Sequence, residues 1–153
     1  MLHIPIPGAD DLRLEHLVMD VNGTLSDRGN LIEGVADRLA ELRADLALHV
    51  LSADTFATAE ALAAGLGAAF RRVRTGADKR AYIERLGAQR CVAVGNGAND
   101  VPMFRAAGLG IAVLGAEGTH SEALHAATIA CRSIAEALDL LLEPRVLTAT
   151  LRP

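Results

Sequence analysis

The chain has 153 residues and a formal net charge of −4, and 51% of its residues are hydrophobic. This length fits a single domain, residues 1–153, and the dispersed, mildly acidic charge argues against nucleic acid as a partner. No apolar run is long enough for a membrane span, and the first residues lack the basic and apolar regions of a signal peptide. Cys91 and Cys131 lie in apolar stretches without metal-ligand spacing, which favours free, buried thiols. We therefore expect a cytoplasmic protein with no membrane contact.

Apolar blocks of strand length alternate with helical blocks along the chain. The predicted strands cover residues 16–20, 46–51, 69–73, 91–94, 109–114 and 128–131. The predicted helices cover residues 35–43, from Asp54 or Thr55 to about 64, 77–86, from Asn99 and Asp100 onward, 121–126 and 133–142. A short flap is expected at about 26–33, and an apolar tail at about 144–153 packs on the body or on another subunit. This alternation predicts an α/β fold, a doubly wound Rossmann-like parallel sheet with helices on both faces.

The most informative stretch covers residues 17–26, where an apolar strand ends on Asp20. A turn containing Gly23 and the hydroxyl residues Thr24 and Ser26 follows at once. A buried strand of this kind places a carboxylate at the edge of the sheet, facing backbone amides that can hold an anion. Such a carboxylate can attack a phosphoryl group and carry it as an acyl phosphate.

Polar residues also follow two other predicted strands. Ser52 comes after strand 46–51, and Asn96 comes shortly after strand 91–94. Taken singly, a serine at a strand end, an Asn-Gly turn and a helix-capping Asp100 are ordinary structural features. Ligands of doubly wound sheets bind at the carboxyl ends of the strands, so the coincidence with Asp20 at one edge favours a functional site.

Lys79 is the only lysine among fifteen basic residues. A lysine places a compact charge in a tight anion site, a role that arginine does not reproduce. The one basic cluster, Arg71, Arg72 and Arg74, is interpreted as a solvated strand end. No catalytic role is expected for the histidines, which are His3, His16, His49, His120 and His125.

Four stretches, in order, resemble the motifs of the haloacid dehalogenase superfamily of phosphatases and phosphotransferases. Residues 20–25, DVNGTL, resemble the first motif, and Ser52 resembles the second. Lys79 resembles the third, and residues 95–100, GNGAND, resemble the fourth. The resemblance covers nearly the whole chain. Within this superfamily the chain is similar to the small proteins called soluble P-type ATPases.

This resemblance implies an enzyme in which Asp20 is the nucleophile and becomes an aspartyl phosphate. It also implies a Mg²⁺ cofactor held by Asp20, by the backbone carbonyl of Asn22 and by the side chain of Asn96. The ion would bridge Asp20 and a phosphate oxygen and so reduce the repulsion between two anions.

The remaining motif residues would bind the phosphoryl group of a phosphorylated substrate, either a small molecule or a macromolecule. Lys79 would supply a positive charge, while Ser52 and the amides around Gly23 would donate hydrogen bonds. Asp100 would orient Lys79 or a metal-bound water. The resemblance thus implies four catalytic residues, which are Asp20, Asn22, Lys79 and Asp100.

Two positions depart from the family pattern. Asn22 stands where most of these phosphatases have an aspartate that acts as general acid and base, a function typically worth about 10²–10⁴-fold in rate. Asn96 stands where the family usually has a metal-binding aspartate, so Mg²⁺ should bind more weakly. We therefore expect slow hydrolysis of the aspartyl phosphate, as in P-type ATPases.

The intervals between the motifs are too short to contain a cap domain. An open site implies either a large substrate or closure by a neighbouring subunit, so we expect a homo-oligomer. Two other functions stay open at this point. The amides at Asn22 and Asn96 would also suit a non-catalytic phospho-ligand-binding or regulatory module. A dehalogenase needs no metal, but usually needs a cap to enclose a small acid.

Overall fold

The computed structural model describes residues 1–53 and 58–153. The helix start predicted at Asp54 or Thr55 lies outside these residues. The strands, numbered in chain order, are β1 (Leu2–Ile4), β2 (Leu12–Leu14), β3 (His16–Asp20), β4 (Ser26–Asp27), β5 (Asn30–Leu31), β6 (Ala47–Ser52), β7 (Ala69–Arg72), β8 (Cys91–Gly95), β9 (Leu109–Val113) and β10 (Ile129–Cys131). The α-helices are α1 (Val35–Leu42), α2 (Thr58–Gly65), α3 (Gly76–Leu86), α4 (Val101–Ala106), α5 (Ser121–Ala126), α6 (Ile134–Leu142) and α7 (Pro144–Leu151).

Six of the described strands form the central sheet, in the order β10-β9-β8-β3-β6-β7. Every neighbouring pair in this sheet is parallel. Successive residues of β3 point to opposite faces, because Leu17 and Met19 join one apolar cluster and Val18 joins the other. Helices α1, α2, α6 and α7 contribute to the first cluster, and α3, α4 and α5 contribute to the second. The predicted doubly wound sheet with helices on both faces is confirmed.

The predicted flap is an antiparallel hairpin of β4 and β5. The predicted tail forms helix α7, whose Leu147 is fully buried in the core beside α6 and β1. An N-terminal hairpin of β1 and β2, with Ile4 and Leu14 fully buried, was not predicted. Its strands have three residues each, too few for a clear period-two pattern.

Both cysteines are free and buried, as predicted. Burial raises the pKa of each thiol to about 11, which keeps the thiols protonated and unreactive. Among residues 1–53 and 58–153, no helix combines the length and apolar character needed to cross a membrane.

A hydrogen-bonded chain of three side chains lies beneath helix α3. His49 Nε2 is 3.1 Å from His16 Nδ1, and His49 Nδ1 is 2.9 Å from the Tyr82 hydroxyl. Burial, followed by the nearby His16, lowers the pKa of His49 from 6.5 to about 4. The folded protein therefore favours the neutral form of the His49 imidazole.

This lowered pKa predicts a loss of stability in mild acid. The unfolded chain takes up a proton at His49 below about pH 6.5, but the folded chain does so only near pH 4. The stabilising contribution is therefore complete only well above pH 6.5, and about 2 kcal/mol of it is lost between about pH 7.5 and pH 5. Urea unfolding of wild type and His49→Gln at both pH values checks this. Between the higher and the lower pH, the free energy of unfolding should fall by about 2 kcal/mol more for wild type than for the variant. The same pH dependence in both proteins would show that His49 is not the group responsible.

Candidate active site

Three residues predicted for the site lie at the carboxyl edge of three neighbouring strands. Asp20 ends β3, Ser52 ends β6, and Asn96 follows β8 directly. The register pairs Asp20 with Leu51 and Met19 with Val94, so the three residues lie at nearly the same height. The parallel sheet thus gathers residues that are far apart in the chain.

Helix α3 brings Lys79 to this edge from one face of the sheet. The helix begins with a capping box, in which Thr75 accepts a hydrogen bond from the Asp78 amide and Asp78 accepts one from the Thr75 amide. Lys79 follows in the first turn, and its side chain is only 1% exposed. Its Nζ donates to Asp20 Oδ1 at 2.7 Å and to Asp100 Oδ1 at 2.5 Å. One buried ammonium therefore joins two carboxylates.

Asp100 connects Lys79 to the backbone of the fourth motif. Its Oδ2 accepts hydrogen bonds from the amides of Asn96 at 3.0 Å and Gly97 at 2.9 Å. Asp100 therefore caps the short turn at residues 98–100 and has no capping hydrogen bond to α4, which starts after it. A Cβ at Gly95 would collide with the Asp100 carboxylate, so a glycine is needed there.

The pKa values of Asp20 and Lys79 are shifted by burial and by the charges around them. Burial, followed by the negative charge of Asp100, raises the pKa of Asp20 to about 6, although Lys79 acts in the opposite direction. Burial by itself would lower the pKa of Lys79, but the two carboxylates outweigh it and the pKa is raised. The ammonium is therefore charged at neutral pH, and Asp20 is mostly ionised.

The Asn96 side chain is held from two sides. Its Oδ1 accepts a hydrogen bond from Thr24 Oγ1 at 3.3 Å, and its Nδ2 donates to the Gly118 carbonyl at 2.9 Å. Gly23 packs against it with a φ of 73°, and a Cβ there would collide with the Asn96 amide. Sequence reasoning assigned no role to Thr24 or Gly118. The hydroxyl of Thr24 within the first motif was an available signal, whereas nothing in the sequence marked the Gly118 loop.

The oxygen donors at this edge suit a hard divalent cation. The Asp20 carboxylate, the Asn22 carbonyl and the Asn96 amide belong to two adjacent strands and the segments that follow them. Mg²⁺ prefers oxygen ligands and often uses only one or two carboxylates. Among the described residues, no group of three or more His, Cys, Asp or Glu side chains forms a metal site. The oxygen donors therefore fit Mg²⁺.

The two remaining residues predicted for the site are Ser52 and Asn22. Ser52 is buried, and its carbonyl accepts from the Val73 amide at 3.0 Å. Asn22 is exposed and forms a backbone bridge with Ser26, and its side chain has no hydrogen bond to any residue in the described part of the chain. The Asn22 amide is therefore free to face a substrate.

A cavity of about 260 Å³ adjoins the Gly23 turn. It lies between the β4–β5 hairpin and the loop after β9. The two sides are joined where the Arg28 amide donates to Glu117 Oε1 at 2.7 Å. The β4–β5 hairpin thus forms one wall of a cavity that adjoins the Gly23 turn.

The sequence model of the haloacid dehalogenase-like hydrolases matches residues 3–108, a range that contains all four motifs. The chain belongs to this family of hydrolases. It is also 42% identical over 64 residues to an uncharacterized protein of Methanocaldococcus jannaschii, an alignment that covers 42% of this chain and 69% of that protein.

Solved structures share the fold. A family hydrolase from Streptomyces avermitilis superposes with a TM-score of 0.71 at 22% identity, covering 97% of this chain and 91% of that one. The 3-deoxy-D-manno-octulosonate 8-phosphate phosphatase of Moraxella catarrhalis, solved with magnesium and phosphate ions and KDO, gives a TM-score of 0.70 at 19% identity. That comparison covers 91% of this chain and 94% of the phosphatase. At these identities the likeness establishes the fold.

Proposed function

We propose that the protein is a Mg²⁺-dependent phosphatase or phosphotransferase that forms an aspartyl phosphate on Asp20 and hydrolyses it slowly. The observation that carries this proposal is the buried contact of Lys79 with both Asp20 and Asp100. Removing three ionisable groups from water is expensive, and an apolar core residue would serve the fold better. A function in binding and transferring an anion accounts for retaining the charges.

In the first step, a carboxylate oxygen of Asp20 attacks the phosphorus of a phosphate monoester in line with the ester oxygen. The bond between phosphorus and the ester oxygen breaks, and the leaving oxygen takes a proton from water, because the Asn22 amide is not acidic enough to donate one. Lys79 stabilises the charge that develops on the phosphoryl oxygens. Ser52 and the amides around Gly23 hold these oxygens.

Mg²⁺ would be held by Asp20, the Asn22 carbonyl and Asn96, the residues whose oxygens fit it. When bound, the ion neutralises phosphate charge and aligns the nucleophile with phosphorus. Asp100 keeps Lys79 in place, and the hydrogen bonds from Thr24 and to Gly118 fix the Asn96 amide.

In the second step, water attacks the phosphorus of the aspartyl phosphate, and the bond from phosphorus to Asp20 breaks. The attacking water must release a proton. The Asn22 amide can orient that water but cannot accept its proton, so this step is the slow one. The phosphorylated enzyme should therefore accumulate. Related folds include a phosphatase of a phosphorylated sugar acid, which supports a phosphorylated substrate here.

Incubation with acetyl phosphate and Mg²⁺, followed by acid quench and intact mass measurement, tests this proposal. Wild type should gain the mass of one phosphoryl group, because the acyl phosphate survives in acid and its hydrolysis is slow. Asp20→Asn is the matched control and should gain nothing, since the amide is not a nucleophile.

Absence of the adduct in wild type, together with no phosphate release from p-nitrophenyl phosphate, would contradict the proposal. The loss of carboxylates at Asn22 and Asn96 favours a phospho-ligand-binding module as the second candidate. Phosphate binding without an adduct or turnover would support that second candidate.

A further inference from the structure

A cleft of about 390 Å³ lies beside the candidate active site, over the exposed edge strand β7 and along helix α3. The charged and aromatic residues that line this arginine cleft are Arg71, Arg72, Arg74, Asp78, Tyr82 and Arg85. The three arginines of the loop and strand are exposed, as predicted from the sequence. They are not merely a solvated strand end, because with Arg85 they form the walls of one concavity.

The positive charge of the cleft is largely uncompensated. None of its four guanidinium groups forms an ion pair with a carboxylate among residues 1–53 and 58–153, whereas arginines elsewhere in the chain, such as Arg38 and Arg90, do. In the described part of the chain, Asp78 is the one acidic residue lining the cleft, and its Oδ2 accepts hydrogen bonds from the amides of Arg74 and Thr75. The cleft is therefore ready to receive an anion.

The sheet register fixes where the cleft lies relative to the proposed nucleophile. Asp20 pairs with Leu51, and Leu51 pairs with Arg71, so the Cα atoms of Asp20 and Arg71 are two strand spacings apart, roughly 10 Å. Residues paired in this way point to the same face of a sheet. Leu51 and Val18, which shares the face of Asp20, both belong to the apolar cluster under α3. Arg71 therefore emerges on the face that carries Asp20 and Lys79.

Tyr82 gives the cleft a firm wall. Its hydroxyl is hydrogen-bonded to His49, and Arg85 lies over its ring at 5.4 Å from the centroid. The anchored Tyr82 ring therefore limits the movement of the Arg85 guanidinium and leaves its positive charge unneutralised.

We propose that the arginine cleft binds a second anionic group of the substrate, so that the preferred substrates are phosphate monoesters bearing another phosphate roughly two strand spacings from the one transferred. This inference rests on the proposed function, because it names the class of substrate for the same site. A chain without a cap has little surface of its own for recognising a leaving group. The arginine cleft supplies that recognition from the edge of the sheet.

The test compares hexyl phosphate with hexanediol bisphosphate, which differs only by a second phosphate at the far end of the chain. For wild type, KM for the bisphosphate should be lower by about tenfold, as expected for charge-assisted hydrogen bonds to arginine. The double variant Arg71→Gln/Arg74→Gln should lose this advantage and keep wild-type kinetics on p-nitrophenyl phosphate. Arg13→Gln is the matched control. Arg13 is exposed in β2, which precedes β3 at the amino ends of the parallel strands, whereas the candidate site lies at their carboxyl ends.

Equal KM values for the two compounds in wild type, or an advantage retained by the double variant, would overturn the inference. If no ester releases phosphate and acetyl phosphate gives no adduct, the proposed function fails, and binding measured by calorimetry then tests the cleft separately. The Asp20→Asn protein with Mg²⁺ should bind the bisphosphate more tightly than hexyl phosphate, and the two arginine substitutions should abolish the difference. Equal binding of both compounds would overturn the inference independently of catalysis.

Discussion

Replacing Lys79 by methionine should abolish phosphate release and lower the free energy of unfolding by about 3–5 kcal/mol. Methionine fills a similar volume but leaves Asp20 and Asp100 buried without their shared cation. Asp100 is fully buried, so its carboxylate cannot recover solvation from water. The loss should be visible in urea unfolding, and activity should be measured well below the unfolding transition.

A double variant separates the structural effect from the catalytic effect. Lys79→Met/Asp100→Asn removes the charge of the more deeply buried of the two carboxylates, while the Asn oxygen can still accept hydrogen bonds from the amides of Asn96 and Gly97. Part of the lost stability should return, but phosphate release should not, because the cation that faces the phosphoryl group is still missing. A Lys79→Met protein with wild-type turnover would refute the role proposed for this residue.

The parts of the fold that could be predicted from sequence are those governed by local pattern. Strand β3 carries three consecutive buried apolar residues at 17–19, and α1 carries Val35, Leu39 and Leu42 on one buried face. Alternation of such elements leaves few topologies besides a parallel sheet. The β1–β2 hairpin could not be predicted, because its two short strands are joined by pairing and burial that only the folded chain creates.

The same division holds for the candidate site. A strand ending in Asp20 and a single lysine at position 79 were visible as residue types at particular places. The contact between them depends on α3 packing across the sheet, which sequence spacing does not specify. The amide hydrogen bonds to Asp100 and the anchoring of Asn96 by Gly118 likewise depend on loop geometry. The arginine cleft was seen only as a cluster, because Arg85 joins it from another element.

Replacing Asn22 by aspartate should increase the rate of phosphate release by about 10²–10⁴-fold. The Asn22 side chain is exposed and makes no hydrogen bond to any described residue, so an isosteric carboxylate should change stability by less than about 0.5 kcal/mol. The new group can protonate the leaving oxygen and later accept a proton from the attacking water. Steady-state release from p-nitrophenyl phosphate and the fraction of phosphorylated protein by intact mass should be measured together.

The two readouts should move in opposite directions if hydrolysis of the aspartyl phosphate limits turnover. Faster release should be accompanied by a smaller phosphorylated fraction, because the intermediate no longer accumulates. Asn30→Asp is the matched control, since Asn30 is an exposed residue of the β4–β5 hairpin and its substitution adds the same charge away from the nucleophile. An equal gain in both variants would indicate a general effect of charge. An unchanged rate in Asn22→Asp would contradict the proposal that proton transfer at this position limits turnover.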